Sequence, residues 1–269
     1  MSERYIVEDL ERVQFFANSV NRLSVFEAFA DGSATGARLA EETDASRSTV
    51  ARILNEGEKR GWVDSRGSRY ELTPSGELMT EEFSEYLDTV DVIRHLGAAL
   101  DYLPEPAQEV DVRCLRDARI TEPTETRPNA HYSRALELYE TADSYRGLTR
   151  VGPDVAVRKL AEEVEAGELE MEAVIASEFV DGLRDDPKRA APWYVFADRL
   201  RVYDGTVPLN MHIIDGTVVL WLSTTAGDEW ETYGLLECDH PAVVEWAESL
   251  YRDYRTEATP FDTGSLPPR

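Results

Sequence analysis

From Glu8 to Phe29 the apolar positions Leu10, Val13, Phe16, Leu23, Phe26 and Phe29 recur at the three- and four-residue spacing of an amphipathic helix. Asn18-Ser19 interrupts the run and supplies a restart. The pattern therefore predicts one long helix or two in tandem, ended by Asp31-Gly32. A short helix over Thr35–Glu42 follows, capped by Thr35 and turned inward at Leu39. Thr43-Asp44-Ala45 makes a turn into a third helix within residues 44–64, with Val50, Ile53 and Leu54 on one side and Arg47, Ser48, Arg52 and Asn55 elsewhere. Gly61 stops it, and Trp62–Asp64, Ser65–Ser68 and Arg69–Leu72 read as strand, turn and strand. Helix, short helix, turn, longer helix and hairpin is the order of a winged helix-turn-helix.

After Thr73-Pro74-Ser75-Gly76 a helical run extends to about Leu100, with Leu78, Phe83, Leu87, Val90, Ile93 and Leu96 along one stripe. Such a helix suits joining two domains and pairing with its twin, and Pro104 and Pro106 end it. The second half mixes elements. Asp111–Ile120 reads as extended, His131–Glu140 as helix, Tyr145–Val151 as strand, Asp154–Ala166 as helix and Glu168–Ile175 as strand. Ser177–Arg184 reads as helix, Pro187–Pro192 as loop and Val195–Leu200 as helical. Arg201–Tyr203 and Leu209–Ile214 read as strands, the latter turning at Asp215-Gly216 into Thr217–Leu222, a strong hairpin signal. Tyr233–Glu237 is a last strand before a helix over Pro241–Arg255. The expected fold class is α+β: a winged helix-turn-helix domain over 1–76, a connecting and dimerisation helix over 77–103, an α/β sensor or effector domain over 104–259 and a flexible tail over 260–269.

Composition adds a bound on partners. The 269 residues are 42% apolar and 30% charged, with 28 basic and 53 acidic side chains and a net charge of −25; the mean hydropathy is −0.42 and the pI near 4.5. Uniform acidity argues against coating nucleic acid or binding anionic lipid, both of which need broad positive potential. Lys59, Lys159 and Lys188 are the lysines, so 25 of the 28 basic residues are arginine. Few lysines and many carboxylates resemble salt-in halophilic proteins, whose surfaces stay hydrated at molar salt; an acidic mesophilic protein is the alternative. Cys114 and Cys238 have no CxxC partner, which excludes a cysteine-based zinc module and predicts two buried, reduced thiols. The N-terminal MSERYIVEDLERV lacks the basic and apolar run of a signal peptide. No stretch reaches the roughly 18 apolar residues of a membrane span. The expectation is a cytoplasmic protein with no membrane partner and no cofactor or metal.

The charge is uneven. Residues 1–75 carry 10 basic and 13 acidic side chains, net −3, leaving −22 for the rest. Within 45–70 the sign reverses: Arg47, Arg52, Lys59, Arg60, Arg66 and Arg69 face Glu56, Glu58 and Asp64, net +3. Winged domains lay the second helix of the motif in the major groove and touch phosphate or minor groove with the wing. Thr35, Ser46, Arg47, Ser48, Thr49, Arg52, Arg66 and Arg69 are thus the candidate DNA-binding residues, arginine reaching guanine edges or phosphate. Solvated pairing with Glu56 and Glu58 is the bland alternative, and it is the better account of Lys59 and Arg60.

RVQFFANSVNRLSVFEAFADG (12–32), DASRSTVARILNEGEKRGWVD (44–64) and Tyr70-Glu71-Leu72-Thr73-Pro74-Ser75-Gly76 resemble haloarchaeal winged-helix transcriptional regulators. VPLNMHIIDGTVVLW (207–221) and DHPAVVEWAESLYRDYR (239–255) resemble the sensor domain named after a methanogen filamentation and methanogenesis regulator, distantly like that of TrmB-type regulators. The resemblance implies a transcription factor whose second domain binds a small molecule of unknown identity.

A ligand pocket belongs at the ends of the C-terminal strands, where helices and loops converge. Its candidate effector-binding residues are Tyr145, Arg146, Glu178, Trp193, Tyr194, Asn210, His212, Trp221 and Tyr233. The aromatic ones also suit core or interface, His212 a structural imidazole and Arg146 a salt bridge. P-loop, GxGxxG, GxSxG, HExxH and EF-hand signatures are absent, and His212-Ile213-Ile214 lacks the lysine a phospholipase-D-like site needs two residues on. The expectation is a homodimeric, sequence-specific DNA-binding regulator that is no enzyme; a winged-helix protein adaptor without DNA binding is the alternative, and a hydrolase of unrecorded type a remote third.

Overall fold

The computed structural model describes residues 3–150, 152–226 and 229–267. The chain forms two compact units, Met1–Asp91 and Val92–Arg269.

In the first unit α1 (Glu3–Ala17) and α2 (Val20–Glu27) are separate helices, broken at Asn18-Ser19, where Ser19 is extended. The two-residue strand β1 (Ala34–Thr35) leads into α3 (Gly36–Glu42), then α4 (Arg47–Lys59), β2 (Val63–Arg66), β3 (Arg69–Leu72) and α5 (Pro74–Leu96). β1 pairs with β3 and β3 with β2, all antiparallel, which is the three-stranded wing of a winged helix-turn-helix. An aromatic cluster fills the core: the Phe16 ring stacks on Trp62 at 5.6 Å and on Phe83 at 5.3 Å, with Phe15 and Phe26 edge-on around them. Gly76, in the first turn of α5, is required by close approach, because a Cβ there would lie 2.1 Å from the Trp62 carbonyl oxygen.

The predicted stripe on α5 divides. Phe83 enters the first core and Val92 and Leu96 the second, while Leu78, Leu87, Val90 and Ile93 stay exposed. The helix ends at Leu96, short of the predicted Leu100 and of a connection reaching 103, because Gly97 adopts φ +51° and a 3-10 turn, Gly97–Tyr102, packs Ala99 into the second core.

The second unit begins in 3-10 turns, including Val112–Leu115 where an extended segment was expected, and then adds β4 (Arg119–Thr121), α6 (Ala130–Glu140), β5 (Ser144–Thr149) and α7 (Asp154–Ala166). β6 (Glu170–Ala176), α8 (Ser177–Asp181), α9 (Pro187–Ala190) and β7 (Leu200–Tyr203) follow, then β8 (Met211–Ile214), β9 (Thr217–Ala226), β10 (Glu229–Cys238), α10 (Pro241–Glu257) and β11 (Thr259–Pro260). The strands form one sheet ordered β11-β7-β6-β5-β8-β9-β10-β4, with β5, β6 and β7 parallel and the other pairings antiparallel. Side chains alternate across a strand, so one face carries Tyr145, Met171, Ala173, Ile175, Ile214 and Trp221 with the core under α6 and α7, and the other carries Leu148, Val174, Met211, Ile213 and Leu220 with the core under α10. Asp215 and Gly216, at φ +48° and +81°, make the hairpin turn between β8 and β9.

Several expectations are corrected. Residues 187–192 are not loop but the helical turn α9 followed by a 3-10 turn, Ala191–Tyr194, and Val195–Leu200 is helical only as the 3-10 turn Ala197–Arg199. The tail from Pro260 is anchored as far as it is described: β11 pairs with β7, Phe261 and Leu266 are buried, and the Tyr194 hydroxyl donates to the Pro267 carbonyl at 2.6 Å. Pro268 and Arg269 lie outside the described residues, as does Val151 at the end of the expected strand. Both thiols are free, but Cys114 is only half-buried while Cys238 is buried.

Candidate functional site

The first site is built by the N-terminal end of α4. Ser46 caps the helix, its Oγ accepting from the Thr49 amide at 3.2 Å, and its hydroxyl also meets Ser48 Oγ at 3.0 Å and Thr49 Oγ1 at 2.8 Å. Asp44, at φ +54°, turns the chain sharply before the cap. This leaves the first turn of α4 exposed at Arg47 and Ser48, while Val50, Ile53 and Leu54 are buried on the opposite side. Thr35 performs the same capping for α3, accepting from the Arg38 amide at 3.3 Å.

The arginines divide by what holds them. Arg47 is exposed and makes no hydrogen bond or ion pair among the described residues. Arg52 pairs with Glu56 at 3.4 Å, an exposed pair on one helix of the kind worth about 0.3–0.5 kcal/mol and so readily exchanged. Glu56 is held more closely by Arg22 at 2.8 Å. On the wing, Arg66 pairs with Glu71 at 3.0 Å, and Arg69 donates from Nε to the Ser33 hydroxyl at 2.9 Å and to the Ser33 carbonyl, tying β3 to the segment before β1. Arg60 is structural: its guanidinium lies over the Phe15 ring at 4.7 Å and the Trp62 ring at 5.9 Å and donates to the Glu56 carbonyl at 3.1 Å.

The second site is a cavity of about 530 Å³ between the α6–α7 face of the sheet and α8 and α9. Of the nine residues expected at a ligand site, the structure brings together Tyr145, Glu178, Trp193, Asn210, His212 and Trp221 in its lining. The other three lie elsewhere. Arg146 follows Tyr145 on β5 and therefore points to the opposite face, where it forms an ion pair with Glu248 on α10. The Tyr194 hydroxyl is spent on the Pro267 carbonyl. Tyr233 stacks on Tyr102 at 4.3 Å and donates to Glu122 at 2.8 Å.

At one end of the cavity the Tyr139 hydroxyl lies 3.1 Å from His212 Nδ1, and the rings of Tyr139, Tyr145 and Trp221 pack around the imidazole. Burial pushes both tyrosine hydroxyls, Tyr139 and Tyr145, above the usual phenol range and His212 down to about 3, so all three are neutral at physiological pH. Asn210 anchors the next turn, its Oδ1 accepting from the Arg150 amide at 2.7 Å. Gly147 makes room for the Tyr145 ring: a Cβ there would lie 2.8 Å from the ring and its hydroxyl. Tyr139, Phe179 and Phe196 also line the cavity and went unread in the sequence. The glycine inside an apolar strand was the available signal that a ring crosses it.

Comparisons place these sites in known domains. The HVO_A0261 N-terminal domain matches residues 10–95, which include α4 and the wing. The middle domain of the methanogenesis regulatory protein FilR1 matches residues 128–257, which include the whole cavity lining. Among solved structures, the archaeal chromatin protein TrmBL2 is 17% identical over 96% of this chain and all of its own, 100%, with a TM-score of 0.40. Nuc of Salmonella typhimurium, a phospholipase D family member, is 14% identical over 54% of this chain and 98% of its own, with a TM-score of 0.41. NucT from Helicobacter pylori is 15% identical over 54% of this chain and 97% of its own, at 0.38. No curated protein matches the chain.

Proposed function

We propose that the chain, which matches an HVO_A0261-type N-terminal domain and a FilR1-type middle domain, is a cytoplasmic, sequence-specific DNA-binding transcription regulator whose second unit answers to a small molecule. The observation that carries the reading is the exposed first turn of α4, with Arg47 unpaired among the described residues and Arg52 weakly held, in a stretch that is net +3 within a chain of net −25. A helix entering the major groove by its N-terminal end would bring Arg47, Ser48 and Thr49 to base edges, with Arg66 at the wing near phosphate. TrmBL2 is described as binding DNA, and double-stranded DNA is the partner proposed for this chain as well.

The active species would be a homodimer. Ile6, Val7, Leu10 and Val13 on α1, and Leu78, Tyr86, Leu87 and Val90 on α5, are exposed large apolar residues in the first unit, a surface that a second copy would cover. A ligand preferring one arrangement of the second unit would then shift the fit to DNA half-sites. The cavity is assigned to binding and not to catalysis: His212 is uncharged, bonded to Tyr139 and followed by Ile213 and Ile214.

Selection from a random duplex pool at high KCl tests the proposal. A single sequence family should be enriched, and Arg47→Ala with Arg52→Ala should abolish the enrichment. The adaptor reading draws support from Arg66 and Arg69 being already engaged with Glu71 and Ser33; it predicts no enrichment, and protein partners that survive nuclease.

A further inference from the structure

The chemistry of the cavity floor narrows what can occupy it. Tyr139 is buried, so its hydroxyl proton cannot be passed to solvent. The hydroxyl proton of Tyr139 then needs an acceptor of its own, and His212 Nδ1 at 3.1 Å is the one supplied. A neutral imidazole that accepts at Nδ1 carries its proton on Nε2. His212 Nε2 is given no protein acceptor among the described residues, and His212 lines the cavity. The Tyr139–His212 bond therefore fixes the tautomer and leaves one N–H donor for an occupant.

We propose that this cavity binds a neutral, planar aromatic molecule whose carbonyl-type oxygen accepts from His212 Nε2. The proposal rests on the small-molecule-responsive reading above and names its ligand class. The walls are ring and hydrocarbon: Tyr132, Phe179, Trp193, Phe196, Leu160 and Ile175 surround the space, which suits stacking and edge contacts with a planar ligand. The volume, about 530 Å³, is in the range of small-molecule sites. A polyol fits poorly, because each of its hydroxyls would need a partner, and Tyr139, Asn210 and Arg189 of the polar lining are already engaged with protein. A carboxylate fits poorly at the floor, because its charge would be desolvated beside an imidazole that burial keeps neutral. Of the two lining arginines, Arg189 is already held by Asp154 at 3.0 Å and Arg150 is engaged as well, with the carboxylate Glu178 in the same lining.

Isothermal titration calorimetry of the full chain with three probes tests this: acetylnaphthalene, the matched naphthoate anion, and maltose. Acetylnaphthalene should bind at least about tenfold more tightly than naphthoate, and maltose should give no heat. His212→Phe, with circular dichroism confirming the fold, should weaken acetylnaphthalene about tenfold, the scale of one hydrogen bond to a buried acceptor. Ala156→Phe, which fills the cavity from α7, should remove binding and serves if His212→Phe does not fold. Preference for naphthoate or maltose, or ketone affinity unchanged in a folded His212→Phe chain, would overturn the proposal. Operator affinity measured with and without acetylnaphthalene separates the two readings. Ketone binding that leaves DNA affinity unchanged upholds the cavity assignment and ends the responsive reading. A DNA response to maltose in a chain that ignores the ketone does the reverse.

Discussion

The Tyr139 hydroxyl meets His212 Nδ1 at 3.1 Å although the two residues are 73 positions apart in the chain. The bond joins α6 to β8 and leaves the imidazole buried, with its pKa held down at about 3 by loss of solvent. An unfolded chain takes up that proton near the ordinary value of about 6.5. Between about pH 6.5 and about pH 3 the unfolded state therefore binds more protons, and stability drops by about 1.4 kcal/mol for each unit that the pH is lowered, from this group. Above that window His212 contributes no slope. Denaturant titrations at pH 8 and pH 5 should show the wild-type chain losing about 2 kcal/mol more than His212→Phe does; equal losses would show that His212 does not govern the acid limb.

Arg134 on α6 grips Glu237 on β10 through two bonds, Nε to Oε1 at 2.9 Å and Nη2 to Oε2 at 2.8 Å, and Glu237 is 8% exposed. Arg134→Ala strands that carboxylate, with exposed Arg119 at 3.9 Å as its remaining cation. The expected cost is about 3 kcal/mol. Arg134→Met combined with Glu237→Leu should recover most of it, because no charge is then left buried. Thermal and urea unfolding of the two variants checks both statements.

Gly76→Ala should open the first unit selectively. The added methyl has no room beside the Trp62 carbonyl, so the start of α5 and the residue leading into β2 must separate, at more than about 2 kcal/mol. Hydrogen exchange followed by mass spectrometry should speed up over residues 62–80 and stay unchanged in β5, β6 and β8.

Arg47 and Arg60 make a discriminating pair. Arg60→Ala removes a cation from the faces of Phe15 and Trp62 and should lower stability by about 1 kcal/mol while moving DNA affinity less than about twofold. Arg47→Ala should leave the unfolding midpoint in place and weaken operator binding by roughly 10- to 100-fold. Gel-shift titrations beside melting curves separate the two effects.

Salt should act unusually on DNA affinity. With net −22 beyond residue 75 and +3 at 45–70, added KCl screens repulsion of the duplex as well as the attraction that ordinary counterion release rewards. The expected dependence on KCl is shallow or reversed. A steep conventional loss would remove the halophilic reading.

The sequence was most legible where an amphipathic period ran between clear stops. Asp154–Ala166 is the helix its pattern predicts, closed by Gly167 in the left-handed region. The wing was legible from Gly61, Arg66-Gly67 and the flanking apolar residues, except for β1, whose two residues are too short to leave a pattern. Composition misled at the tail: Pro260–Pro267 looks polar and breakable, yet two apolar residues, Phe261 and Leu266, are enough to dock it. The cavity was half legible. Its strand residues came from expecting a pocket at the ends of the C-terminal strands, whereas Tyr139 and Phe179 sit on helices where an aromatic residue signals core and hollow alike. Arg146 was misplaced because adjacency in sequence is opposition in a strand.

That alternation divides labour within single strands. On β6, Ala173 and Ile175 belong to the cavity and Val174 to the core under α10; on β8 and β9 the same holds for His212 against Ile213 and Trp221 against Leu220. Substitutions at one parity can remodel ligand choice while those at the other parity preserve the scaffold. The sheet can thus diversify its chemical vocabulary between paralogues by changing every second residue, and the unit of evolutionary freedom is a position's parity, not its neighbourhood in the chain.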